Sequence, residues 1–305
     1  MKRTSLFVAV VFLSAVGSFA QTQSQPASAA PAANVPPAAP APRLEFPAPS
    51  PAATLQQRVG LTDITVVYSR PSMRGRKIFG SLLPYGEVWR TGANTATRIT
   101  FSTPVRLGGA DLAAGAYELF TIPGPAEWTV ILQKLPEKAS WGAYTYDRKN
   151  DTARITVKPV ATGAPVETFG FAFDNLRDES ATLNLAWENT RVPVEIAVNV
   201  TGPIVAQIEA AMAADGKKPY FQAALFYLDH DLDLTRAAQW MDAALAENPD
   251  AYYAVYHKAR LLAKQGDKAA AIATARKSIE LAAKDTGPAK GEYTRLNEAL
   301  IASLQ

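Results

Sequence analysis

Basic and aromatic side chains are concentrated in one segment of the chain, residues 69–94. Its basic residues are Arg70, Arg74, Arg76, Lys77 and Arg90, and its one acidic residue is Glu87. Arginine pairs bidentately with carboxylates or phosphates, and aromatic faces stack on rings. The segment therefore predicts a site for an anionic or carbohydrate ligand, together with aromatic residues further along the chain. The predicted lining residues are Arg74, Arg76, Lys77, Tyr85, Trp89, Arg90, Asn94, Trp128, Trp141 and Tyr144.

The same residues also allow a structural interpretation. Arg90 can pair with a carboxylate such as Glu87 or Glu188, and Trp89 can fill the interior of a β-sandwich. Long irregular segments are usually functional or disordered, and the aromatic content here argues against disorder. Both the ligand-binding and the structural interpretation stay open on the sequence.

Glutamates near this segment offer a different chemistry. Hydrolysis of a glycosidic bond needs two carboxyl groups, one on each side of the bond. Four glutamates are available, but strand alternation does not show which of them converge: Glu87, Glu127, Glu167 and Glu188. An envelope carbohydrate-active hydrolase is therefore the alternative function, and no catalytic residue is assigned.

Other site chemistries are excluded or disfavoured by composition. The chain has no cysteine, which excludes thiolate metal sites and a cysteine nucleophile. His230 and His257 are the only histidines, and both fall in the C-terminal part, where interhelix or surface positions are expected. Residues 146–151 supply two carboxylates without the spacing of a calcium loop and predict a solvated turn. We expect no metal and no cofactor.

Alternating and β-branched or aromatic residues indicate strands through residues 54–200. Phe169, Phe171 and Phe173 recur at every second position, as one buried strand face requires. The predicted strands are 63–69, 97–102, 116–122, 128–133, 153–158, 167–173, 182–187 and 193–200. The absence of intervening helices predicts an all-β sandwich of about 8–10 antiparallel strands.

Several motifs in this region resemble those of one bacterial family. They are Arg-Gly-Arg-Lys-Ile-Phe-Gly at 74–80, Pro-Tyr-Gly-Glu-Val-Trp-Arg-Thr-Gly-Ala-Asn at 84–94, Ala-Gly-Ala-Tyr at 114–117, Phe-Thr-Ile-Pro at 120–123, Trp-Gly-Ala-Tyr at 141–144 and Val-Glu-Thr-Phe at 166–169. On these motifs, residues 54–200 resemble domain-of-unknown-function family number 2911. One departure is Gln133, where the family pattern has asparagine. The resemblance implies an exported β-rich domain and carries no catalytic role, because no activity is established for the family.

Residues 201–305 switch to a period of 3.6 with abundant alanine. The predicted helices are 204–214, 219–229, 234–247, 251–265, 268–284 and 290–304. At an offset of 34 residues Asp233 aligns with Asp267 and Ala237 with Ala271, which resembles an all-α array of tetratricopeptide-like helical hairpins. Such arrays bind proteins or peptides on a concave face, although tyrosines can also pack between helices. The candidate contact residues are Tyr220, Tyr227, Tyr252, Tyr253 and Tyr256.

The N-terminal residues predict where in the cell the protein is located. Residues 1–20 have a basic start, an apolar stretch and small residues up to Ala20, which is typical of a secretory signal peptide. Residues 21–53, rich in proline and alanine, predict a disordered linker. We therefore expect a periplasmic or secreted protein without membrane insertion of the mature chain. A net charge of +3 argues against nucleic acid as a partner.

Overall fold

The computed structural model describes residues 46–305; the predicted signal peptide and residues 21–45 of the predicted linker lie outside them. Ten strands come first among the described residues, and six α-helices follow them. The strands are β1 (Ala52–Val59), β2 (Thr62–Ser69), β3 (Thr97–Phe101), β4 (Val105–Leu107), β5 (Ala110–Leu112), β6 (Gly115–Ile122), β7 (Trp128–Lys134), β8 (Asp151–Val157), β9 (Val160–Asp174) and β10 (Ser180–Val198). The helices are α1 (Thr201–Ala213), α2 (Tyr220–Asp229), α3 (Leu234–Glu247), α4 (Tyr252–Lys264), α5 (Lys268–Lys284) and α6 (Lys290–Leu304).

The strands form two antiparallel sheets. One has six strands in the order β1-β2-β3-β6-β7-β8, and the other has four in the order β5-β4-β10-β9. Alternate residues of both sheets point into one shared core, for example Ile64 and Leu119 from the first sheet and Leu183 and Ile196 from the second. The predicted sandwich followed by a helical region is confirmed.

The sheets differ from the sequence prediction in several places. The short strands β4 and β5, of three residues each, were not predicted. β1 was not predicted, because its polar residues lie half exposed at a sheet edge and it follows a proline-rich segment. β10 is one long strand where two were predicted. A bulge at Glu188, whose φ is +53°, bends the strand without ending it.

The segment between β2 and β3 is an ordered loop folded over one end of the sandwich. It inserts Ile78, Phe79 and Trp89 into the shared core. Isolated bridges attach it to the sheets at Ser72 with Thr168 and at Trp89 with Thr121. Burial of three large apolar side chains explains why so long a segment takes a defined course.

The six helices follow the predicted pattern closely. The largest shift is that of α1, which begins at Thr201 rather than at residue 204, whereas α2 and α4 each begin one residue later than predicted. Pro203 is tolerated there because backbone N–H groups in the first helical turn have no intrahelical acceptor. No described helix is long and apolar enough to cross a membrane.

The first helices contact the sandwich directly. Ile204 of α1 and Phe226 of α2 pack against the core shared by the two sheets. The Glu179 carboxylate accepts hydrogen bonds from the backbone N–H groups of Val200 and Thr201 and from the Thr201 hydroxyl, at 2.8–3.0 Å. Those hydrogen bonds lower the pKa of Glu179. The start of α1 is thus held by both apolar packing and an anionic cap.

Candidate functional site

The predicted aromatic site residues divide into buried and exposed groups. Trp89 and Trp128 lie in the core, in an aromatic cluster where Trp89 stacks on Trp187 at a centroid distance of 5.8 Å. Trp89 Nε1 also donates to the Gly92 carbonyl. These two tryptophans do not form part of an exposed aromatic face, and Trp89 fills the sandwich as the structural alternative predicts. Tyr85, Trp141 and Tyr144 are exposed.

Two of the three predicted basic residues at the start of the loop bond to backbone carbonyls. The Arg76 guanidinium donates to two backbone carbonyls of its own turn, those of Met73 and Ser72, at 2.9 and 2.7 Å. Arg74, at φ +49°, donates to the Pro49 carbonyl. Lys77 is exposed and forms no ion pair among the described residues. Arg76 therefore serves first to close this turn.

Two of the four candidate glutamates accept hydrogen bonds from backbone N–H groups rather than facing a cleft. Glu188 accepts from the backbone N–H groups of Ile78 and Phe79, and Glu167 accepts from that of Arg74. Glu87 and Glu127 are exposed. Neither Glu87 nor Glu188 forms an ion pair with Arg90 in the described chain, so this part of the structural alternative is wrong.

Arg90 has an unusual environment. Its side chain is half buried, and its Nε is fully buried without a hydrogen-bond acceptor among the described residues. A Cβ at Gly142 would lie 2.9 Å from Arg90 Nη1 and 2.7 Å from the Tyr144 ring. Gly142, at φ +74°, therefore lets the guanidinium and the phenol approach the same point of the backbone.

The loop before β8 carries Trp141 directly before Gly142, whose backbone this arginine approaches. Asn94 accepts from the Gly142 N–H, Ala96 donates to the Ser140 carbonyl, and Thr95 forms a bridge with Trp141. The Asn94 side chain also donates to Ser69 Oγ. Trp141 remains 62% exposed and Tyr144 86% exposed. We call Arg90, Trp141 and Tyr144 the Arg90 patch; with Asn94, they are the predicted residues that the structure brings together.

A buried carboxylate anchors the same loop. Glu118 on β6 is almost completely buried, and it accepts from the Ser140 N–H at 2.7 Å and from the Ser140 hydroxyl at 2.6 Å. Sequence reasoning missed Glu118, Ser140 and Gly142. The only available signal was Gly142 itself, placed between two aromatic residues in one of the family motifs.

A second polar network fixes the other end of this loop. Gln133 donates to the Asp147 carbonyl and to Asp151, which also accepts from Tyr146 and Arg154. Burial and the bond to Asp151 raise the pKa of Tyr146, and the bond to Asp151 raises that of Arg154. Residues 146–151 are therefore partly a solvated turn, at Asp147, and partly a structural network, at Asp151.

The predicted tyrosines of the helical region also divide. Tyr227 is buried, and its ring centroid lies 4.9 Å from that of Trp240. It therefore packs between helices and does not line a groove. Tyr220, Tyr252 and Tyr256 are half buried, and Tyr252 and Tyr256 both pack on Tyr293. Tyr253 is 38% exposed at a cavity of about 480 Å³, which is also bordered by Tyr252, Asp250, Lys284 and Asp285.

Charged groups near that cavity are already engaged. Asp285 accepts from Tyr252 Oη at 2.9 Å. Hydrogen bonds from the Gly287 backbone N–H and from the Tyr252 hydroxyl lower the pKa of Asp285. The bond between Tyr252 and Asp285 also raises the pKa of Tyr252.

The two histidines have no metal-like surroundings. His230 stacks on Phe226 with its Nδ1 beside the Phe226 carbonyl. His257 lies between α4 and neighbouring helices, where burial and the adjacent Arg260 lower its pKa to about 4. Within residues 46–305 no group of three or more His, Cys, Asp or Glu is placed to hold a metal ion.

Comparison with known proteins identifies one family and no characterised relative. The chain matches no curated protein and no solved structure significantly. A family model described as a protein of unknown function (DUF2911) matches residues 50–196. That range contains the whole of the Arg90 patch and nearly all of both sheets, and the match supports placing this β-rich region in the DUF2911 family.

Proposed function

We propose that the protein is an exported binding or scaffold protein, in which the Arg90 patch holds an anionic or carbohydrate ligand and the helical region contacts a protein or peptide. The observation that carries the ligand-binding part is the buried Arg90 Nε without an acceptor. A buried, unpaired donor costs about 1–3 kcal/mol, more when it is charged. A ligand carboxylate that pairs with the half-exposed guanidinium in bidentate geometry would offset that cost.

Aromatic exposure supports the same proposal. Trp141 and Tyr144 are large side chains that remain mostly exposed on a loop fixed by Glu118 and Asp151. Aromatic residues held rigidly at a surface provide stacking area at low entropic cost. Because a sugar acid presents a ring face and a carboxylate together, it matches both parts of the Arg90 patch. We therefore favour acidic sugars and carboxylate-bearing cell-wall fragments as ligands.

Binding is favoured over the alternative hydrolase. Hydrolysis needs two free carboxyl groups beside a cleft. Glu167 and Glu188 are engaged by backbone N–H groups of the loop, and Glu118 is engaged by Ser140. Among the described residues, no observation favours two carboxyl groups acting as a catalytic pair.

Export is proposed from the sequence of residues 1–20, with cleavage after Ala20. Mass spectrometry of the protein recovered from the periplasm of an expressing bacterium measures its first residue. We expect a mature chain that starts at Gln21, whereas an intact Met1 on the recovered protein would contradict the proposal.

Equivalent positions in the helices support a tetratricopeptide-like repeat. Asp233 caps α3 and Asp267 caps α5, 34 residues apart as the self-alignment predicts. Ala237 and Ala271 are both fully buried at matching places. We propose that Tyr253, exposed near the start of α4, contacts a partner protein.

The ligand-binding proposal is tested with two variants that each remove one arginine charge. Calorimetric titration with trigalacturonate and with muramyl dipeptide measures binding to the unmodified protein, to Arg90→Gln and to Arg76→Gln. We expect Arg90→Gln to weaken binding at least tenfold. Arg76→Gln is the matched control, because the Arg76 guanidinium bonds to its own turn, and it should bind within about twofold of the unmodified protein.

Two outcomes would contradict the ligand-binding proposal. One is the absence of saturable binding of either compound by the unmodified protein. The other is equal binding by folded Arg90→Gln, whose folding is checked by circular dichroism. Equal losses in Arg90→Gln and Arg76→Gln would indicate general charge attraction and would also count against a specific site.

The protein-contact proposal is tested by photocrosslinking in an envelope fraction. A photoreactive phenylalanine replaces Tyr253 in one variant and Leu296 in another, since both residues are helical and exposed to 38% and 37%. We expect one adduct of defined mass that forms at position 253 and not at position 296. Identical adduct patterns at the two positions would contradict a specific contact surface at Tyr253.

A further inference from the structure

A small cavity lies at the end of the sandwich closed by the β2–β3 loop. Its volume is about 180 Å³, and Phe79, Tyr85, Pro125, Trp128, Asn189 and Thr190 border it. It shares no residue with the Arg90 patch. We call it the Tyr85 pocket.

The walls of the pocket are set by the fold. Phe79 and Trp128 belong to the core aromatic cluster, with ring centroids 5.0 Å apart, and form its buried side. Tyr85 forms the outer side and is 46% exposed. A Cβ at Gly80 would lie 2.7 Å from the Tyr85 ring, so this ring rests on the bare backbone of Gly80, whose φ is +77°. The pocket is therefore built on the loop and on residues of β7, β9 and β10.

The lining is uncharged, and it combines three aromatic residues and the polar Asn189 and Thr190 with aliphatic residues, Pro159, Val160 and Ala161 among them. None of its residues carries a charged side chain. The Tyr85 hydroxyl, the Asn189 amide and the Thr190 hydroxyl have no hydrogen-bond partner in the described part of the chain. These groups can donate and accept hydrogen bonds beside the exposed ring of Tyr85.

We propose that the Tyr85 pocket binds one ring of a neutral sugar. A sugar ring has an apolar C–H face that packs on an aromatic side chain and hydroxyls that bond to amide and hydroxyl groups at its edge. The volume lies below the roughly 300–1,000 Å³ of pockets for drug-sized ligands, which fits one ring and no more.

Two other ligand classes fit this pocket less well. An anion would find no basic side chain in the lining, and desolvating it there would be unfavourable. A purely apolar ring would gain no hydrogen bond from the Asn189 amide and the two hydroxyls at the rim. A neutral hydroxylated ring satisfies both the aromatic and the polar parts. The inference goes beyond the proposed function, because it does not require Arg90 to bind anything.

The test uses three neutral trisaccharides, cellotriose, maltotriose and chitotriose, titrated into the full-length mature protein. Calorimetry gives the affinity, and the NMR resonance of the Trp128 indole N–H reports on the pocket. We expect saturable binding of at least one trisaccharide with a shift of that resonance. Tyr85→Ala and Asn189→Ala should each weaken binding at least tenfold. Tyr85→Phe, which keeps the ring, should weaken it less than Tyr85→Ala does.

Matched variants of the Arg90 patch separate this inference from the proposed function. Arg90→Gln and Trp141→Ala should bind the neutral trisaccharide within about twofold of the unmodified protein. The inference is overturned if none of the three sugars binds, or if Tyr85→Ala and Asn189→Ala bind as well as the unmodified protein. Loss of binding in Trp141→Ala alone would move the sugar to the Arg90 patch. That result would overturn the inference and leave the proposed function standing.

Discussion

The arginines of the β2–β3 loop differ in what surrounds their guanidinium groups. Arg76 bonds to carbonyls of its own turn, whereas Arg90 presents a buried Nε to no acceptor. In the sequence, both residues are basic side chains close to aromatic residues. Their difference comes from the tertiary position of Gly142 and of the loop that contains it. Sequence reasoning could therefore nominate both arginines but could not choose between them.

An unpaired buried donor at Arg90 has a consequence for stability. Methionine has a similar length and no polar N–H, so Arg90→Met removes the unsatisfied group while keeping the packing. We expect the free energy of unfolding of ligand-free Arg90→Met to rise, or to fall by less than about 1 kcal/mol. Urea unfolding measures the change. Destabilisation by more than about 2 kcal/mol would show that Arg90 holds the fold and would favour the structural interpretation.

A second prediction at the residue scale concerns the pH dependence of stability at His257. Burial, and secondarily Arg260, lower its pKa from 6.5 to about 4 in the folded protein. Between these pH values the unfolded chain binds more protons than the folded one. The free energy of unfolding should therefore fall as the pH drops through this window. The slope from one such group is at most about 1.4 kcal/mol per pH unit.

His257→Gln provides the comparison for this pH dependence. Glutamine does not titrate, and it keeps an acceptor for Arg260, which lies 3.0 Å from His257 Nδ1. We expect urea unfolding of the variant to show a smaller loss of stability between pH 6.5 and pH 4. All other titratable groups are common to both proteins, so their contributions cancel in the difference. Parallel pH profiles would rule out a neutral buried imidazole.

At the scale of elements, helices were predicted more accurately than strands for a local reason. Alanine-rich periodicity and breakers such as Gly216 and Pro249 act within a few residues, and tertiary contacts hardly shift them. β10 shows the opposite case. Residues 188–192 lie between two predicted strands, yet pairing with β9 carries one strand through a bulge there. The same limit applies to Trp89, because only the packing of two sheets decides that it is buried.

The capping aspartates give a prediction for the helical elements. Asp233 accepts from the N–H groups of Thr235 and Arg236, and Asp267 accepts from that of Ala270. Each replacement by alanine should lower the free energy of unfolding by about 0.5–2 kcal/mol. Because the two caps serve different helices, the double variant should lose roughly the sum.

Thermal and urea unfolding of the two single variants and the double variant test this additivity. Asp242→Ala is a suitable control, since Asp242 lies within α3 and forms a surface pair with Lys258. Its expected loss is below about 1 kcal/mol. A negligible effect of both cap variants would mean that the tertiary packing of α3 and α5 alone fixes their starts.

For the whole molecule, the sandwich and the helices share a contact that predicts their cooperativity. Phe226 packs on the sandwich core, and Glu179 caps the start of α1. Removal of either contact should weaken the coupling without breaking a β-strand. We therefore expect the unmodified protein to unfold in one transition, and Phe226→Ala to unfold in two, with the helices melting first.

Two signals separate these transitions in a Trp240→Phe background. The remaining tryptophans, Trp89, Trp128, Trp141 and Trp187, all lie in the β-rich region, so their fluorescence follows the sandwich while far-UV circular dichroism follows mainly the helices. Phe226→Leu keeps an apolar contact and should restore coincident curves. Curves that already separate in the Trp240→Phe parent would contradict a shared cooperative unit. Curves that stay coincident in Phe226→Ala would show that loss of this apolar contact does not divide the molecule. The coupling would then rest on Glu179 and the remaining contacts.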